Sequence, residues 1–93
     1  MLNENGQIHI KEVVILREED DGAFLFDPDS GRICYLNEIG TMVWRLCQKN
    51  SIPGQLVDLI CSDFPEISRE QISQDCMQFL MELQRLEFLS INA

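Results

Sequence analysis

The apolar positions change period once along the chain. Up to Asn37 they fall in short runs broken by turn residues; beyond it they recur every three or four residues. Residues 13–18 (VVILRE) are rich in β-branched side chains and predict a first strand. Residues 19–22 (EDDG) read as a turn, with Asp21-Gly22 as its hairpin dipeptide. Residues 23–27 (AFLFD) predict a second strand. Residues 27–31 (DPDSG) turn again: Pro28 fixes φ, the aspartates bond nearby backbone, and Gly31 admits positive φ. Residues 32–37 (RICYLN) predict a third strand. Turns this tight make the three an antiparallel meander.

The helical part starts at once. Asn37 suits an N-cap and Glu38 supplies a negative charge in the first turn. Ile39, Val43, Leu46 and Cys47 form an apolar stripe, with Met42 and Trp44 flanking it. Ser51 with Pro53 close behind starts a second helix, whose stripe is Leu56, Leu59, Ile60 and Phe64; Pro65 stops it. Ser68-Arg69-Glu70-Gln71 matches a capping box and opens a third. Its stripe is Ile72, Cys76, Phe79, Leu80, Leu83 and Leu86. Residues 1–12 are polar and expected to be a flexible tail; Ile8-His9-Ile10 alternates, but two apolar residues do not decide a strand. The expectation is one α+β domain over residues 13–91, winged-helix-like, in the order βββααα.

Charge narrows the function. The chain has 93 residues and a net charge of −9. Nucleic-acid binding needs Lys and Arg against phosphate. Between Ser68 and Phe88, where a recognition helix would lie, two arginines face four carboxylates. An acidic chain suits basic or neutral partners. No apolar run approaches the ~20 residues of a membrane span, and the N-terminus lacks the charged-then-apolar pattern of a signal peptide. The expectation is a cytoplasmic location.

Catalytic chemistry finds little to work with. His9 is the one histidine, and the five glycines are scattered rather than gathered in a phosphate loop. Cys34, Cys47, Cys61 and Cys76 are spaced 13, 14 and 15 apart. Metal sites take cysteines in close pairs, so no metal and no cofactor is expected. Each cysteine falls in an apolar pattern and reads as a buried, reduced thiol.

Two features point to binding instead. All three strands are apolar on both faces, as in Ile33 and Tyr35 against Cys34 and Leu36. Three short helices cover only one face of a sheet, which leaves apolar surface for a partner, a chain terminus or a second copy. The third strand is also an edge unless the N-terminal segment pairs with it, and an edge offers unpaired backbone groups to an extended peptide. Met77 and Met81 lie beside the third helix's stripe, where exposed methionine makes adaptable surface.

With these residues in place, the chain resembles the PqqD family of small peptide chaperones, recognition elements for ribosomally made, post-translationally modified peptides. The likeness spans about residues 13–91. Its most specific part is LNEIGTMVWRLC, a strand ending in Leu36-Asn37 followed by a helix with a small residue at Gly40. Its second part is ISQDCMQFLMELQRLEFLS, with Asp75 preceding Phe79-Leu80 and an apolar pair closing the domain. The family usually has glycine where Glu87 stands. The resemblance implies that a precursor's leader peptide adds as a strand to the third strand and packs in the groove between it and the third helix. It implies a modifying-enzyme partner, often a radical S-adenosylmethionine (SPASM-type) protein that carries its own iron–sulfur clusters. Carried over to this sequence, the peptide-facing strand is Arg32, Ile33, Cys34, Tyr35 and Leu36. On the third helix Asp75, Gln78, Glu82 and Arg85 line one flank of the stripe, chosen because Asp75 matches the family's spacing. Asp75 and Glu82 then suit a leader carrying Lys or Arg; the alternative is that they are solvated charges. Two other functions compete: an acidic winged-helix regulator, and a homodimer whose mate occupies the third strand.

Overall fold

The computed structural model describes residues 6–49 and 52–92. Its elements are β1 (Gln7–Ile10), β2 (Ile15–Glu19), β3 (Gly22–Asp27), β4 (Arg32–Asn37), α1 (Glu38–Lys49), α2 (Pro53–Asp63), α3 (Arg69–Arg85) and β5 (Leu89–Asn92). Strands β2, β3 and β4 form an antiparallel sheet in that order, and the three helices follow. This is the α+β, βββααα arrangement the pattern predicts, with one addition.

The addition is a second sheet made of β1 and β5. Ile8 stands opposite Ile91 and Ile10 opposite Leu89, and the Lys11 amide extends the ladder to the Phe88 carbonyl at 3.1 Å. Residues 7–10 are therefore not a flexible tail. Each strand alone carries too few apolar residues to declare itself; paired, they bury Ile8 and Leu89 in the core. Residues 1–5 of the expected tail lie outside the described residues.

The strand expectations shift slightly at the edges. The Val14 amide donates to the Lys11 carbonyl at 3.1 Å, so Val13 and Val14 belong to the turn out of β1, and β2 starts at Ile15. Glu19 pairs with Gly22, which makes Asp20-Asp21 the hairpin turn and leaves Gly22 to open β3. The second turn is as expected. Gly31 takes φ 78°, and the Asp27 carboxylate accepts from the Asp29 amide and the Ser30 hydroxyl, both at 2.9 Å.

Each helix has a local cause. The Asn37 side chain accepts from the Gly40 amide at 2.8 Å, capping α1 where β4 ends. Pro53 opens α2; the Ser51 expected to start it lies outside the described residues. The Ser68 side chain accepts from the Gln71 amide at 3.2 Å and caps α3. The Gln71 side-chain amide donates forward to Asp75 at 3.0 Å.

One buried cluster joins both sheets and all three helices, from Ile8 and Leu25 through Leu56, Leu80 and Leu83 to Phe88. Trp44, expected at the flank of α1, lies in its middle at 1% exposure. Ile39, expected in the stripe, is 58% exposed. The helix is rolled so that Gly40, Val43, Trp44 and Cys47 face inward. The large apolar contact of Trp44 offsets an indole Nε1 that is buried with no partner among the described residues. Among the described residues the four cysteines form no disulfide; Cys47 and Cys76 are buried, Cys34 and Cys61 half-buried. Among the described residues no helix is long and apolar enough to cross a membrane.

Candidate functional site

Strand β4 has β3 on one side only. Gln7–Ile10, the segment most able to cover its other edge, is paired with β5 instead. Among the described residues nothing pairs with that edge, so a row of backbone donors and acceptors faces outward.

Helix α3 approaches this side of the sheet at three points. At one end Arg32 Nη1 donates to the Leu86 carbonyl at 2.9 Å and lies 4.0 Å from Glu87. Midway, Glu82 acts on Cys34: burial, and then the Glu82 charge, raise the thiol pKa. At the other end Phe79 lies against Gly40 at the start of α1. A Cβ at position 40 would lie 3.2 Å from Cε1 of the Phe79 ring, so only glycine lets the ring sit this close to α1. These points mark a groove between strand and helix, from Arg32–Leu86 to Gly40–Phe79.

The alternation of β4 divides the sequence-predicted residues between two faces. Arg32 stays on the groove side, tied to α3. Cys34 is half-buried and Leu36 is core at 2% exposure. Ile33 and Tyr35 point to the opposite face of the sheet, 66% and 52% exposed. There Tyr35 meets Phe24 edge-on at 5.4 Å and donates to the Asp21 carbonyl at 3.3 Å. The strand residues therefore share a backbone edge but not a side-chain surface.

On α3, Asp75, Gln78 and Glu82 line a shallow depression together with Phe79. Arg85 is exposed and grips Glu82 with two hydrogen bonds, one from Nε at 3.0 Å. That contact lowers the Glu82 pKa and raises that of Arg85. Asp75 accepts from Gln71. Both carboxylates expected to meet a basic leader thus already have a partner within the helix. Met81 is exposed, whereas Met77 packs on the core cluster.

The sequence reading missed an apolar cavity of about 260 Å³ at the Asn37 end of the groove, between α1, α2 and α3. Asn37, Ile39, Phe64, Ile67 and Phe79 are among its walls. Periodicity had assigned Ile39, Phe64 and Phe79 to core stripes. It marks a residue as apolar on a helix face, but whether that face meets a neighbour or a gap depends on how three helices cross.

An unpaired edge strand beside a helix, on a small α+β frame, defines a winged-helix-like module built around one groove. The chain belongs to the PqqD family: the family model described as coenzyme PQQ synthesis protein D (PqqD) matches residues 22–89. A solved structure of TbiB1 in complex with the TbiA(beta) leader peptide is similar to it, with 27% sequence identity and a TM-score of 0.79. That likeness covers 88% of this chain and 94% of the other. No curated protein matches the chain.

Proposed function

We propose that this chain is a non-catalytic peptide chaperone. It binds the leader of a ribosomally made precursor by strand addition at β4 and presents the precursor to a modifying enzyme of the radical S-adenosylmethionine type. The observation that carries the reading is the open edge of β4 lying along the α3 groove. Strand addition uses such an edge: backbone bonds supply affinity and pockets for alternate side chains supply selectivity. The similar structure solved with a leader peptide supports it. Any cofactor belongs to the enzyme, and both partners act in the cytoplasm.

In this reading Cys34, Phe79 and Glu82 form the wall and floor under the added strand, with Asp75 and Gln78 at its border. Arg32 holds β4 to α3 and Arg85 sets the charge of Glu82. Titrating isotope-labelled protein with the cognate leader shifts amides in residues 32–37 and 72–86. A flat titration would overturn the proposal. A homodimer paired through β4 competes for the same edge, and sedimentation with and without leader separates the two.

A further inference from the structure

The sheet has a second face, turned away from the helices. Ile15, Phe26 and Ile33 lie side by side in one cross-strand row, and Arg17, Phe24 and Tyr35 in the next. Ile15 is 54% exposed and Phe26 37%, alongside the exposed Ile33 and Tyr35. Among the described residues no element lies over them: all three helices are on the other side, and β1 pairs with β5. Scattered exposed apolar residues are ordinary; contiguous ones on a single face, rimmed by polar residues, point to an interaction surface.

The border of the patch says what fits it. The hairpin end carries Glu18, Glu19, Asp20 and Asp21 in succession. Arg45 pairs with Glu18, and Arg17 lies 4.0 Å from Glu19. Among the described residues no cation pairs with Asp20 or Asp21. A second copy would bring another net −9 and the same acidic hairpin, so self-association works against charge. A partner with an apolar centre and a Lys/Arg border is complementary.

We propose that this outer face of β2, β3 and β4 is a second docking surface, taken by the modifying enzyme through an apolar patch edged with Lys and Arg. The inference rests on the chaperone reading above and deepens it. The face is continuous with the peptide edge: a strand added to β4 extends the sheet, and its alternate side chains line up with Ile33 and Tyr35. The enzyme then meets chaperone and precursor on one surface and binds the loaded chaperone more tightly than the free one.

The test uses the full chain, the cognate leader and the purified modifying enzyme. Ile15→Asp and Phe26→Asp alter the face on strands away from the β4 edge; Asp20→Lys with Asp21→Lys reverses the border charge. Each set is expected to weaken enzyme binding at least tenfold while leader affinity stays within twofold. The wild-type contact is expected to weaken with salt, and the free chain to sediment as a monomer. Variants that bind leader and enzyme like the wild type would overturn the proposal. So would a wild type that binds leader but not enzyme, or one that forms a dimer dispersed by these substitutions, which assigns the face to a second copy. If an aspartate variant fails to fold, the exposed hairpin pair carries the test. A wild type that binds no leader overturns the chaperone reading itself, and this one with it.

Discussion

The Phe88 amide donates to the Leu83 carbonyl at 2.9 Å, across the end of α3. With the Glu87 amide on the Gln84 carbonyl at 3.0 Å, this is a Schellman cap, and Phe88 and Leu83 are both buried beneath it. The residue that must turn left-handed is Glu87, at φ 67°. A side chain in that conformation costs about 1 kcal/mol relative to glycine. Its ion pair with Arg32, 4.0 Å between exposed groups, offsets little of this. Glu87→Gly is expected to raise stability by about 1 kcal/mol, seen as a higher urea midpoint at unchanged slope. A midpoint at or below the wild type would show that the Arg32 contact outweighs the strain.

Asp27 ties the N-terminal segment to the turn before β4. It is 1% exposed and accepts from Lys11 Nζ at 2.7 Å and from Ser30. The Lys11 hydrogen bond, opposed by burial, takes its pKa from 3.8 to about 2. The folded value is the lower one, so its stabilisation is complete above the unfolded pKa and is lost as pH falls from about 4 to about 2. Lys11 runs the other way. Its pKa is raised above 10.5, chiefly by the same bond, so its contribution is present below that value and lost as pH climbs through the folded one. Asp27→Asn is expected to lower the melting temperature at pH 7 and to flatten the acid limb between pH 4 and 2. An unchanged acid limb would place that limb's origin in other carboxylates.

Gly40 is set by space. An added Cβ meets Phe79 at 3.2 Å, Asn37 Oδ1 at 3.3 Å and Leu36 at 3.5 Å. Alanine favours the helix by about 1 kcal/mol, and crowding of a partly exposed ring offsets it. Gly40→Ala is therefore expected to change stability by less than about 1 kcal/mol, yet to displace the Phe79 ring and weaken leader binding about fivefold. Gly40→Ile, with no such room, loses about 2 kcal/mol or more. Ring-proton shifts of Phe79 and a leader titration check this; an unmoved ring with undiminished affinity would remove Phe79 from the site.

The meander, the three helices and the Asn37 junction are legible in the sequence because each has a local cause: a turn dipeptide, a cap, a period. What was hidden is non-local. Residues 7–10 and 89–92 make a sheet only with one another, across nearly the whole chain. The roll of α1 that exposes Ile39 and buries Trp44 is decided by packing on β3 and β4, not by the helix's own pattern. The division of Ile33 and Tyr35 from Cys34 and Leu36 follows from strand alternation and was legible; which face stays open was not. The charges of Asp75 and Glu82 looked available because their partners, Gln71 and Arg85, are ordinary helix neighbours whose rotamers the sequence does not announce.

Cys34 offers a direct reading of the groove. Its thiol is half-buried, and burial followed by the Glu82 charge raises its pKa. The thiolate is the reacting form, so alkylation at neutral pH is slow and quickens as pH rises. Cys61 is also half-buried but stands on α2, away from β4. Cys47, pushed up to about 12 by burial, and Cys76 stay silent in the folded chain. A leader strand laid on the β4 edge covers Cys34 and leaves Cys61 as it was. Saturating leader is therefore expected to slow Cys34 alkylation at pH 8 at least tenfold and to change the Cys61 rate less than twofold, read by mass spectrometry of timed samples. Prior labelling of Cys34 with a bulky maleimide is expected to abolish leader binding. If leader binds at full affinity while Cys34 reacts at its free rate, the peptide lies elsewhere, and the β4–α3 groove is not its site.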